Sequence, residues 1–258
     1  MKPLVRYILS GVTLAAFAAL WLLADRAAAG SRRAVTCQGV KAVVADSTER
    51  RFVVEEDIVA WMADYGTYVG LRLDSVDLRR IETIMDGKSA VLQSQAWLTD
   101  DGYIHISVTQ REPVVRFQKG NVGFYADRNG FLFPLQSRHT SRVPVVDGAV
   151  PVNVDKGFKG EPGTKEEAAW IRSIVGLMRY MQDSKVWADN ISQITVLPGG
   201  DLMLIPREGS ERFLFGRAAG IAAKFGRIRR YYDTIAPEAE GYTTVDVRYD
   251  GQIVCRKK

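Results

Sequence analysis

Two histidines and two cysteines are all that 258 residues supply of the side chains most used as metal ligands and nucleophile partners. His105 falls on the polar side of an alternating strand pattern, where it reads as a surface residue. His139 sits in the polar stretch Ser137-Arg138-His139-Thr140. Neither belongs to a Ser/His/Asp or Cys/His arrangement. Cys37 and Cys255 have no metal-ligand spacing around them. An oxidising compartment permits a disulfide, yet nothing local supports one, and each reads as a half-buried strand residue. Glu55-Glu56 and Asp100-Asp101 lie at a helix start and in a turn, where solvation accounts for them. Gly199-Gly200 and Gly160-Glu161-Pro162-Gly163 are turn formers without the strand–loop–helix frame of a phosphate site. No metal, cofactor, small-molecule substrate or active site is expected, although distant carboxylates assembled in space would leave no mark in sequence.

Charge of one sign is also in short supply. Thirty-five Lys and Arg stand against 30 Asp and Glu, a net +5 over the whole chain. A basic surplus can signal nucleic-acid binding, but this one is modest and an exported body meets little nucleic acid, so nucleic acid is not expected as a partner. At 47% hydrophobic and 25% charged, the composition excludes disorder. Repeats and low-complexity runs are missing as well.

There is one long apolar run. Tyr7 to Ala24 carries no charge; as a helix rising about 1.5 Å per residue it spans roughly 27 Å, near the thickness of a bilayer core. Lys2 and Arg6 precede it, and Trp21 suits an interfacial position. The expectation is a transmembrane helix over 7–24, with a short cytoplasmic tail (1–6) before it and a linker (25–35) after. Ala27-Ala28-Ala29 before Gly30 is the competing feature, a small-residue cleavage site.

The remainder reads as α+β. Thr36 to Asp46 is β-rich. Glu55-Glu56-Asp57 opens a helix with Ile58, Trp61, Met62 and Tyr65 on one face. Ser75 or Asp77 starts a second helix, with Leu78, Ile81, Ile84 and Met85 inward and Gly87 at its end. Leu92, Ser94, Ala96 and Leu98 share one strand face, and Ile104, Ile106 and Val108 share another across Thr99-Asp100-Asp101-Gly102. This β-α-α-β-β unit closes at Arg111-Glu112-Pro113, where proline suits a boundary.

Beyond it, Val122 to Leu135 is a hairpin around Asp127 to Gly130. Thr164 and Glu167 form a capping box opening a helix that buries Trp170, Ile171, Ile174, Val175, Met178 and Met181. Strands follow at Ile191–Leu197, Asp201–Ile205 and Glu211–Phe215. A last helix buries Ile221, Phe225, Ile228 and Tyr232, placing Lys224 and Arg227 on a shared polar flank. That flank is either a solvated face or a docking surface. The end of the chain, Thr243 to Cys255, has two readings. Asp250-Gly251 either turns a hairpin or kinks one long edge strand, which a partner strand could extend.

These segments together resemble the FtsQ/DivIB family of bacterial cell-division proteins. "VTQREPVVRF" (Val108 to Phe117) resembles the exit from that family's POTRA domain. "FYADRNGFLFPL" (Phe124 to Leu135) and "RVPVVDG" (Arg142 to Gly148) are similar to the opening of its β domain. "AAKFGRIRRYY" (Ala222 to Tyr232) and "VDVRYDGQIVCRKK" (Val245 to Lys258) are similar to its closing helix and strand. Two departures are a cytoplasmic tail of about six residues, short for the family, and Ser89 where proline is frequent.

The resemblance implies a POTRA domain over 36–112 and a larger, mainly antiparallel β domain with flanking helices over 113–258. It implies a non-enzymatic, single-pass scaffold of the inner membrane, its bulk in the periplasm, binding FtsB/FtsL-type coiled-coil proteins. It raises the edge-strand reading above the hairpin and places the contact on Arg248, Tyr249, Asp250, Gly251 and Gln252, with Lys224 and Arg227 beside it. The rival readings are an exported cell-wall enzyme with a dispersed site and a secreted POTRA-like module of outer-membrane assembly.

Overall fold

The computed structural model describes residues 13–26, 35–46, 51–184, 186–238 and 241–257, and places them in two compact units, 1–110 and 111–258. Residues 13–26 form a helix (α1) whose side chains are all exposed, among them Leu14, Phe17, Leu20 and Trp21. At about 1.5 Å per residue the described part of this helix accounts for roughly 21 Å of the roughly 30 Å of a bilayer core. Among the described residues no helix is long and apolar enough to cross a membrane. Residues 7–12 of the expected span lie outside the described residues, as do Ala27 to Ala29.

In the first unit, β1 (Gly39–Val44) is followed by α2 (Glu55–Trp61) and a 3₁₀ turn at Met62–Asp64. Then come α3 (Leu78–Asp86), β2 (Val91–Leu98) and β3 (Tyr103–Gln110). The strand order is β1-β3-β2, with β1 parallel and β2 antiparallel to β3. Asp77, rather than Ser75, caps α3, accepting from the Arg80 N–H at 3.0 Å. Ile58, Met62, Ile81 and Met85 are fully buried together with Ile104, Ile106 and Val108 of β3. Each such side chain contributes about 1.5–3 kcal/mol by leaving water. A register shift between Val91 and Gln93 turns Val91 inward and leaves Leu92 exposed, against the simple alternation. Cys37 is buried in the segment before β1 rather than half-buried in a strand, and both cysteines are free.

The second unit begins with β4 (Pro113–Lys119), β5 (Val122–Asp127), β6 (Leu132–Pro134) and β7 (Val145–Gly148). Next are α4 (Lys165–Asp183), β8 (Ile191–Val196), β9 (Leu202–Pro206) and β10 (Arg212–Gly216). It closes with α5 (Ile221–Arg230), a π turn (Tyr231–Ile235), β11 (Tyr242–Asp246) and β12 (Val254–Lys257). The nine strands run β12-β11-β10-β9-β8-β7-β4-β5-β6. Most neighbours in this sheet are antiparallel, as expected, but the sheet is mixed, because β4 with β7, β7 with β8, and β10 with β11 run parallel. The helical crossovers explain this: α4 lies between β7 and β8, and α5 between β10 and β11, and parallel neighbours need such connections.

The Thr164–Glu167 capping box is present, with reciprocal bonds of 3.1 and 3.2 Å. Its helix packs Ile171, Ile174, Leu177 and Met178 against Phe117, Phe124, Ile194 and Leu204 of the sheet. Trp170 is only half-buried, tilted against Phe117 at 5.7 Å. In α5 the buried residues are Phe225 and Ile228, then Tyr231 in place of Tyr232. Phe225, Ile228 and Tyr231 follow one another at three-residue steps, which an α-helical face accommodates as well as a four-residue step to Tyr232.

Candidate functional site

Asp250-Gly251 lies in a hairpin loop. The chain turns at Tyr249 to Gln252, with Gly251 at φ +71°, and returns as β12, which pairs antiparallel with β11 from Tyr242↔Lys257 to Asp246↔Val254. The expected single kinked strand is therefore corrected. The turn signal prevails because Cys255, opposite Val245 of the buried core, half-covers apolar surface that a straight continuation would leave open. Arg248, Tyr249, Asp250, Gly251 and Gln252 belong to the loop, and the edge strand is Val254–Lys257.

The loop is held from three sides by charge-assisted bonds. Arg248 donates through Nε and Nη2 to Asp246 at 3.0 and 2.7 Å, and through Nη1 to Asp201 at 2.8 Å. The Asp246 carboxylate also accepts the Arg248 backbone N–H. Burial alone would push the Asp246 carboxyl up, but the bonds from Arg248 outweigh it and hold it below the usual carboxylate range. Bonds to Asp246 and then Asp201 raise Arg248 further above its already high value. Gly216 makes room for this side chain, since a Cβ there would stand 3.0 Å from the Arg248 Cγ, and its φ of +74° favours glycine as well.

From α5, Arg227 donates through Nε to the Val247 carbonyl at 2.9 Å and through Nη1 to Asp250 at 3.2 Å. Its side chain is only 11% exposed while that of Asp250 is 98% exposed. Lys224 donates to the Arg217 carbonyl at 2.7 Å and lies 4.9 Å from the Phe215 ring centroid. Burial, then the charge of Arg227, lowers the Lys224 pKa. Arg227 clamps the loop, and Lys224 is bonded to the segment before α5, so the two do not form a free basic flank. Tyr249 is the outward element, 53% exposed, with the Arg248 guanidinium 5.5 Å above its ring. Sequence reasoning missed Asp201, which is distant in sequence. Asp246 was legible, since positions i and i+2 share a strand face.

The two edges of the large sheet differ. At β6, Leu132 and Gly160 exchange backbone hydrogen bonds of 2.8 and 2.9 Å, so a loop covers that edge. Among the described residues β12 has one strand neighbour, β11, and its other side is open. An open edge presents unpaired N–H and C=O groups to an incoming chain.

Among the described residues no three His, Cys, Asp or Glu side chains group closely enough to hold a metal ion. His105 is half-buried and stacked on Trp97 at 5.3 Å, not the surface residue its alternation predicts.

A small β-α-α-β-β unit followed by a mixed sheet with one covered and one open edge defines a two-unit α+β protein that presents a strand edge. Residues 35–109 match the model of the POTRA-like domain, and residues 112–256 match that of the FtsQ/DivIB, C-terminal related domain. The chain belongs to the FtsQ/DivIB family. Both are families of non-catalytic scaffold domains, and together they point to a scaffold role in the bacterial division machinery. No curated protein matches the chain.

Proposed function

We propose that this chain is a single-pass scaffold of the septum-forming machinery, anchored in the inner membrane with both units in the periplasm. Its partners are coiled-coil division proteins of the FtsB/FtsL type, and through them it helps control septal peptidoglycan synthesis. The partner adds a strand to β12, and the Arg248–Gln252 loop, with Tyr249 outward, fixes where that strand begins. The observation carrying this reading is the asymmetry of the sheet, closed by Gly160 at β6 and open at β12. The exposed apolar helix α1 supports the anchor.

Proline in an edge strand tests strand addition, because it removes one backbone donor. Successive N–H groups of an edge strand point alternately into the sheet and outward. Of Cys255→Pro and Arg256→Pro, one therefore loses an outward donor and keeps the β11 ladder. Capture of FtsB/FtsL-type partners from solubilised membranes should fail for that variant while its circular dichroism stays unchanged. Wild-type capture by the folded variant would refute the contact.

A further inference from the structure

After the 3₁₀ turn at Met62–Asp64 the chain loops back across the segment by which it enters the body of the first unit. The Cys37 N–H donates to the Leu71 carbonyl at 2.7 Å, and the Gly70 N–H donates to the Cys37 carbonyl at 2.8 Å. Thr36 pairs with Arg72, and the Leu73 N–H donates to the Val35 carbonyl at 3.1 Å. Loop 67–71 is thus fastened beside Val35, where the described body begins.

The loop is anchored on its inner side and apolar on its outer side. Leu73, just beyond it, is buried. Val69 is 57% exposed, Leu71 is 36% exposed, and Tyr68 is half-buried. The nearest guanidinium is already neutralised, since Arg72 donates through Nη2 to Asp74 at 2.6 Å. Covering this tip therefore strands no lone charge.

The position of the tip decides what covers it. α1 ends at Arg26 and the body starts at Val35, a stretch of chain that reaches at most about 32 Å. With α1 seated in a bilayer, the end of the body that receives this tether is the end held at the bilayer surface. A tyrosine beside two aliphatic side chains suits that boundary, where aromatic rings sit at head-group level and apolar groups leave water. So small a tip would bind no membrane from free solution, but the tether makes docking intramolecular at a high effective concentration. A stable protein contact needs roughly 1,000 Å², far more than three side chains supply. We propose that loop 67–71 docks on the interface of the bilayer that holds α1, inserting Val69 and Leu71 and restricting how the first unit turns on its tether. The proposal rests on the anchored reading of α1.

The test uses the full chain, one copy per nanodisc of phosphatidylcholine and phosphatidylglycerol, with valine and leucine methyl groups isotope-labelled for NMR. Lipids with a nitroxide on the acyl chain erase the signals of methyl groups that reach them. The same discs after reduction by ascorbate give the reference. Leu20 of α1 reports the anchor, Val69 and Leu71 report the loop, and Val44, at the other end of β1, reports the background. The expected result is loss of signal at Leu20, Val69 and Leu71, with Val44 retained. In Val69→Ser the loss at Leu71 should fall to the Val44 level. Loss at Leu20 with Val69 and Leu71 intact overturns the docking and leaves the anchor standing, whereas an intact Leu20 overturns both. An undiminished loss at Leu71 in Val69→Ser shows proximity through the tether without insertion, and overturns the proposal. A Val69 signal that changes only in discs holding two chains assigns the loop to a second copy and overturns it too.

Discussion

Arg248 binds Asp246, two residues before it, through both Nε and Nη2, and with its remaining Nη it reaches Asp201 ahead of β9. One side chain thus ties the β11–β12 loop to the β9 turn. Asp246 is one of few buried charged residues, and a buried carboxylate persists only when its partner stays in place. A residue proposed as a partner contact is therefore also the one that shapes the loop.

This separates two variants that the sequence treats alike. Tyr249→Ala removes an exposed ring and should leave the thermal midpoint within about 1 °C of wild type, as surface substitutions do. Arg248→Ala should lower stability by about 1 kcal/mol after allowance for solvent screening, which is roughly 2–4 °C for a unit of this size. Calorimetry on both, alongside partner capture, checks the split. Loss of capture in Tyr249→Ala at an unchanged midpoint assigns the contact to the ring. An unchanged midpoint in Arg248→Ala would contradict the tie described above.

The same pair predicts an acid limb. The Asp246 carboxyl is held below its unfolded value of about 3.9, so the folded state binds this proton less readily than the unfolded chain. The stability it contributes is present above about pH 4 and is lost as the pH falls through the lower, folded value. Arg248 and, through its charge, Arg256 hold the ionised form; Asp201 shares the Arg248 guanidinium. Thermal midpoints measured from about pH 6 down to about pH 2 should drop less steeply for Asp246→Asn than for wild type. Parallel curves would show that this carboxyl does not titrate below its ordinary range.

Local signals were legible, and non-local ones were not. The Thr164–Glu167 box, the alternation of Ile104, Ile106 and Val108, and the Asp127–Gly130 turn each act within a few residues, so their chemistry is written in order along the chain. β7 escaped as a strand of its own because only four residues pair, and both its neighbours are parallel and distant in sequence. Tyr232 was placed inward by a four-residue step from Ile228, where the helix buries Tyr231 at a three-residue step, and periodicity alone does not choose between them. In the candidate loop, Tyr249 and the Asp250-Gly251 turn were visible. The Asp201 bond to Arg248 and the clamp by Arg227 required segments far apart in sequence to meet.

The anchor is testable on the mature chain. The α1 side chains Leu14, Phe17, Leu20 and Trp21 are each about two-thirds exposed or more, a surface that water disfavours. Intact-mass measurement of the protein extracted from membranes should find residues 1–29 retained, and alkaline washing should not release it. A mature chain beginning at Gly30, free of the membrane, would replace the anchor by a cleaved leader.

Arg111 and Asp127 form the most enclosed ion pair of the second unit among those described, 2.8 Å apart with side chains 12% and 5% exposed. The Arg111 guanidinium also lies 3.6 Å over the Phe131 ring. Asp127 has a second task, accepting the Asn129 and Phe131 backbone N–H groups at 2.8 and 3.0 Å and so closing the turn before β6. Asp127→Ala removes both functions and leaves a buried guanidinium unpaired, a loss of about 3–5 kcal/mol. Asp127→Asn keeps an acceptor for the turn but not the charge, so it should fall between the alanine variant and wild type. Urea midpoints give the order, and amide exchange at Asn129 and Phe131 separates the causes. Protection that survives in Asp127→Asn but not in Asp127→Ala assigns the turn to the acceptor and the remaining loss to the unpaired arginine.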